Sequence, residues 1–259
     1  MKGEEVKLSS VHTALEGDSR ELIKDALEYS EDELAEVEAG AGFSFSDTYD
    51  RIEIVEEGIT RGDEQTVDGT AIATVYPDEG ETVLLCTGGI PDASLAHESV
   101  HGRMYDENGE FDLPDEDEVN RSMYTEFVAY LAEHRVNPEK GPVEPAKDKP
   151  FGEGLKEMTR MFENMSKGGV KAGSVGEGEV ERTDPDVDRM REVWNVIEAS
   201  TASLAAVVYH EENDDYDMEE LIDPDRETYA EVLEFVYDLS ERVMEEGVPE
   251  KYEEHVTYA

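Results

Sequence analysis

Cysteine is nearly missing from this chain: Cys86 stands alone among 259 residues, so no disulfide can form within it. It lies in the run Val83-Leu84-Leu85-Cys86, where a small buried thiol is expected. Basic residues are scarce too, 22 against 68 acidic ones, a formal net charge of -46 at pH 7. With no basic stripe to neutralise phosphates, nucleic-acid binding is not expected, and neither is attachment to an acidic membrane surface. Long apolar runs are also lacking. The longest, around Ala202 to Tyr209, falls far short of the roughly 20 residues that cross a bilayer. Met1-Lys2-Gly3-Glu4-Glu5 has no apolar stretch of the secretory kind, so a cytoplasmic protein is expected, with virion association left open.

What is present is a foldable pattern under heavy charge. Hydrophobic residues make up 37% of the chain and charged ones 35%. A disordered acidic chain gathers its carboxylates into runs and lacks aromatics. Here 12 Tyr, 7 Phe and one Trp are spread among periodic apolar segments, with acids interleaved throughout. Such a surface repels itself unless salt screens it, and at molar salt the Debye length shrinks to about 3 Å. The composition suits a folded protein of a salt-accumulating halophile, or of a virus that infects one.

Helical spacing begins near Asp18 and Glu21 and carries Leu22, Ile23, Ala26, Leu27, Leu34 and Val37, with Gly40 and Gly42 ending that helical region. Period-two alternation then marks three strands: Arg51 to Glu56, Thr70 to Tyr76 and Thr82 to Thr87. Pro77-Asp78-Glu79-Gly80 is expected to join the last two as a hairpin. A helix capped by Asp92 follows, then a second from about Asp117 to Val136. Asn137 to Pro150 holds four prolines and a glycine and reads as a linker. The rest is helical: Phe151 to Met165, a long helix capped by Thr183, and a last one opened by Asp223 and Pro224.

Chemistry concentrates in His97-Glu98-Ser99-Val100-His101. On a helix, positions four apart share a face one turn apart, so both imidazoles can reach one ion. Zinc suits imidazole nitrogen and tolerates an open fourth position for water. Glu98 projects beside that water, where a carboxylate can take a proton and pass it to a leaving amine. Leu95, Ala96, Ser99, Val100 and Gly102 are uncharged in a chain where one residue in three carries charge, which points to a helix buried on most sides.

A third protein ligand is needed. The metzincin spacing would put glycine and histidine where Met104 and Glu107 stand, so it fails. Glu126 fits best, 25 residues beyond His101 within Tyr124-Thr125-Glu126-Phe127-Val128-Ala129-Tyr130. A carboxylate in such surroundings needs a cation or metal to offset its burial. Glu133 shares that face at i+7 and is the reserve ligand, while Glu107 would require an immediate reversal of the chain.

This motif with Glu126 resembles the gluzincin branch of the zincin metallopeptidases, over roughly residues 10 to 136. The resemblance implies an α+β fold with a small, mostly antiparallel sheet and an active-site helix, residues 1–136. A linker, 137–150, and a helical carboxy-terminal lobe, 151–259, follow, with the cleft between the two parts. It implies that Thr82 to Gly88 lines the cleft and binds extended substrate by strand addition. It further implies an oxyanion stabiliser, for which Tyr130, His134, Tyr209 and His210 are the candidates. Arg103 departs from the pattern, being charged where that helix commonly stays apolar. The expected activity is hydrolysis of a peptide or protein substrate. A binding or assembly protein with a structural or inactive metal site is the alternative. An acidic mimic of nucleic acid would instead gather its carboxylates on one face. Oligomeric state has no signal in the sequence.

Overall fold

The computed structural model describes residues 11–16, 19–55, 60–61, 64–65, 71–76, 80–87, 89–106, 109–114, 117–146, 149–167, 185–213, 215–248, 252 and 257–258. The fold is mixed α+β and mostly helical.

Strand β1 (Val11–Glu16), whose alternation is too weak to read from sequence, leads into helix α1 (Ser19–Leu27). The expected single helical region is two helices. Glu28, with φ 62°, breaks it, and Ser30 starts α2 (Glu31–Ala41) with a reciprocal capping box to Glu33. Gly42 ends α2 in the left-handed conformation at φ 87°, as a glycine readily does. Asp18 lies outside the described residues.

Next come β2 (Arg51–Val55), a small ribbon of β3 (Thr60–Arg61) and β4 (Glu64–Gln65), then β5 (Ala71–Tyr76) and β6 (Glu81–Cys86). β5 and β6 pair antiparallel, with Ala73 opposite Leu84; of the turn expected between them, 77–79 lie outside the described residues. The order in the main sheet is β1-β2-β6-β5. Two pairings are antiparallel and the central one, β2 with β6, is parallel.

Helix α3 (Asp92–Met104) carries the motif and packs between β5 and helix α4 (Glu118–Val136). Its cap is Pro91, which makes no side-chain bond; Asp92 is already helical, and its Oδ1 accepts from the Tyr29 hydroxyl at 2.5 Å. Asp117 caps α4, accepting from the N–H groups of Val119 and Asn120.

The segment after α4 turns back on itself, forms β7 (Val143–Glu144) and enters α5 (Phe151–Lys167). Helices α6 (Pro185–Glu212), α7 (Met218–Ile222) and α8 (Arg226–Glu246) follow; Asp225 caps α8, one residue beyond the expected Pro224. Thr183 lies outside the described residues. A short strand, β8 (Thr257–Tyr258), pairs parallel with β7.

The layers run from the sheet through α3 to α4 and on to α6, with α5 and α8 outermost. One hydrophobic cluster joins them, from Ile52 and Leu84 in the sheet through Val100 and Phe127 to Ala205 and Val236. No described helix is long and apolar enough to cross a membrane.

Candidate metal centre

Helix α3 is held closely on the sheet side. A methyl on Gly102 would lie 2.8 Å from Tyr49 Cε1 and 2.9 Å from Thr48 Cγ2, so glycine is what lets the helix approach. The Tyr49 hydroxyl bonds Ser99 Oγ at 3.2 Å on the same face. Arg103 is accommodated at the helix end, where its guanidinium donates to the Ser44 carbonyl at 3.0 Å and to Glu219 at 2.9 Å. The charge thus leaves the core and ties α3 to α7.

On the opposite face, His97 and His101 point their Nε2 atoms at one place, 3.2 Å apart. Glu126 comes from α4 with its two oxygens 3.8 Å from His97 Nε2 and 3.6 Å from His101 Nε2. In a tetrahedral zinc site with bonds of 2.0–2.1 Å, ligand atoms stand about 3.3 Å apart. The three side chains therefore frame a space of the right size, and among the described residues they are the group able to hold a metal ion. The donor set, two imidazoles and a carboxylate, suits zinc, which would take the imidazoles in their neutral form. The Glu126 side chain keeps 27% of its exposure, so the space is reached from solvent.

Glu133, the reserve ligand, stands behind His97 and not beside the converging nitrogens: its Oε2 lies 3.1 Å from His97 Nδ1. Burial pushes the Glu133 carboxyl up, yet the His97 bond and the Lys140 ammonium pull it below its usual range. An ionised carboxylate only accepts, so Nδ1 keeps its proton, and Nε2 is the nitrogen that would give its lone pair to a metal ion in the space in front. Burial pulls the His97 imidazole down, but the bond to Glu133 and the charges of Glu126 and Glu98 outweigh it and raise the group to about 9. Carboxylates on three sides thus favour positive charge at this position.

Glu98 does not join the three ligands. Its Oε2 accepts the backbone N–H of Ala73 in β5 at 2.8 Å. That N–H points away from β6, so it belongs to the outer side of β5. The strand expected to line the cleft, Thr82 to Gly88, is mostly β6, which sits between β2 and β5 with both its edges paired. Its neighbour β5 is an outer strand of the sheet and the one that touches Glu98; Gly88 lies outside the described residues.

Of the four candidates for the oxyanion role, Tyr130 contacts a ligand, its ring standing edge-on to His97 with centroids 4.7 Å apart. Burial, then the charges of Glu126, Glu133, Glu98 and Glu198, hold its phenol well above its ordinary value, so it stays protonated. His134 and His210 pack on each other 5.2 Å apart, and His210 Nδ1 meets the Tyr216 hydroxyl at 2.6 Å. Tyr209 packs among Phe127, Tyr216 and Phe235. Tyr216 thus joins His210 to Tyr209. Glu107 lies outside the described residues.

Sequence reasoning missed three participants. Lys140 pairs with Glu133 from the segment read as a linker. The Ala73 N–H is backbone and leaves no mark in a sequence. Glu198, buried on α6 and bonded to Trp194 Nε1 at 3.2 Å, was legible as the acid that opens the uncharged run Ala199 to Tyr209. A cavity of about 800 Å³ between α5 and α8, with Lys156, Arg160 and Val248 in its wall, shares no residue with this centre. Compared with protein-family models, with characterised proteins and with solved structures, the chain finds no match in any of the three.

Proposed function

We propose that this chain is a zinc-dependent peptidase of zincin type, with His97, His101 and Glu126 as the metal ligands and Glu98 as the general base. The observation that carries the reading is the convergence of two imidazole nitrogens and a carboxylate at tetrahedral spacing, with Glu98 left out of the ligand set one residue away. A site serving only to hold metal has no need of that carboxylate.

Zinc bound there supplies Lewis acidity, which polarises the scissile carbonyl and acidifies a water. The chain supplies the proton handling and the positioning. Glu98 takes the proton from the attacking water and delivers it to the departing amine nitrogen. The Ala73 N–H holds one Glu98 oxygen in place for that transfer. Tyr130, kept protonated, donates a hydrogen bond to the oxygen on which negative charge develops. Glu133 keeps the His97 proton on Nδ1. Strand β5, at one end of the strand order, offers the edge along which an extended peptide would lie.

The test is Glu98→Gln, assayed in molar salt for bound zinc and for cleavage of a broad peptide mixture. Zinc content stays at the wild-type level while cleavage falls by about 100-fold or more, the share general base catalysis contributes. Cleavage at the wild-type rate overturns the mechanism. A wild-type protein that binds zinc stoichiometrically and cuts no peptide favours a binding or assembly role instead.

A further inference from the structure

We infer that Lys140 is a positioning residue for the metal ligand His97, acting through Glu133; this rests on the zinc reading above. Glu133 is 5% exposed, and a carboxylate at that depth needs a partner on each oxygen. Oε2 accepts from His97 Nδ1 at 3.1 Å, and Oε1 is met by the Lys140 ammonium. With one charged or strongly polarised donor on each oxygen, the plane of the carboxylate is set. That plane sets the rotation of the His97 ring, and the ring aims Nε2 at the space shared with His101 and Glu126.

Lys140 is itself held, which separates it from a lysine that only drifts over an acidic surface. Its N–H donates to the Asn137 carbonyl at 3.0 Å, and its own carbonyl stands 3.3 Å from His134 Nδ1. Main chain and side chain of one residue thus grip the consecutive residues Glu133 and His134 of α4. The chain beyond is fixed as well, Val143 N–H donating to Ser203 Oγ on α6 at 2.9 Å. The partner matters too. In a chain of net charge -46, exposed acids are everywhere, yet this ammonium meets a carboxylate whose side chain is 7% exposed. The segment after α4 is therefore part of the centre: it carries the outermost member of the line His97–Glu133–Lys140.

The experiment compares wild type, Lys140→Met, Lys140→Arg, Glu133→Gln and the double variant Lys140→Met/Glu133→Gln in molar salt. Zinc affinity is read by competition with a chromogenic chelator, the visible spectrum of the cobalt(II) form reports ligand geometry, and melting of the metal-free protein reports folding. Lys140→Met weakens zinc binding by about tenfold, within the range seen for partners behind the ligands, and alters the cobalt bands. Lys140→Arg, which keeps a cation at the site, recovers most of the affinity. The double variant binds no more weakly than Glu133→Gln alone, because the lysine works only through that carboxylate. Wild-type affinity and spectrum in Lys140→Met overturn the inference, as do additive losses in the double variant. Should Lys140→Met melt below the assay temperature, an affinity of Lys140→Arg as poor as that of Glu133→Gln overturns it as well. A wild-type protein that binds no zinc removes the metal reading and this inference together, whereas normal zinc binding with an indifferent Lys140 removes this inference alone.

Discussion

The backbone N–H of Ala73 donates to Oε2 of Glu98 at 2.8 Å, so strand β5 and the proposed base are in direct contact. A carboxylate on a helix would otherwise sample several rotamers. Here one of its oxygens is anchored by a group that cannot move without moving β5.

Ala73→Pro removes that donor while leaving the pairing to β6, because the N–H faces outward and proline is tolerated at such edge positions. A hydrogen bond to a charged group contributes about 1.5–3 kcal/mol. The turnover number is accordingly expected to fall by at least about tenfold, with zinc content unchanged. Steady-state kinetics beside metal analysis checks this, and an unaltered turnover number makes the contact incidental.

Glu126→Ala removes the only non-histidine ligand of the proposed set. Zinc affinity should drop by at least about 100-fold, beyond what the loss of a residue behind a ligand produces. Retention of stoichiometric zinc by this variant under dialysis would show that the ion sits elsewhere.

Gly102→Ala places a methyl 2.8 Å from Tyr49 Cε1 and 3.1 Å from the Thr48 carbonyl oxygen. Overpacking of this kind costs about 1–3 kcal/mol. Denaturant unfolding in high salt should show a lower midpoint with an unchanged slope. A midpoint equal to wild type means α3 can retreat from the loop at no cost.

Burial pushes the Cys86 thiol up to about 12, with no polar partner needed to explain it. A raised thiol value means less thiolate at any given pH, roughly one part in 10,000 at pH 8. The folded protein should therefore resist a thiol reagent at pH 8 and react once per chain in denaturant. Fast labelling of the native protein contradicts the buried position.

Charge of -46 on a chain this size makes the folded state sensitive to screening. Raising potassium chloride from about 0.1 M to 2 M, across the range in which the Debye length falls from ~10 Å to a few ångström, should lift the melting temperature. The expected rise exceeds about 4 °C, the shift that 1 kcal/mol brings at this length. A flat or falling melting curve against salt would argue against a halophilic setting.

Much of the centre could be read from residues alone, for physical reasons. The spacing of His97 and His101 is a property of any helix, and a lone acid within an uncharged stretch, Glu126, stands out in a chain crowded with acids. Local signals were partly overlooked: Ser30 and Glu33 spell a capping box, which divides α1 from α2 once it is given more weight than the apolar period running through it. What could not be read is long-range. Strand order decides that β5 and not β6 has the outer edge, and no local pattern encodes order. Likewise, Glu133 differs from Glu126 only by standing behind the imidazole instead of before it, and Lys140 reaches the site because the chain reverses through a proline-rich segment that looks like a spacer.

The single tryptophan gives this molecule a built-in optical reporter. The Trp194 indole is bonded to Glu198, whose charge acts on the Tyr130 phenol, and that ring rests against His97. Emission from one fluorophore can then report on the indole's bond to Glu198 without a label, and Glu198→Gln, which keeps the acceptor oxygen and drops the charge, identifies the signal.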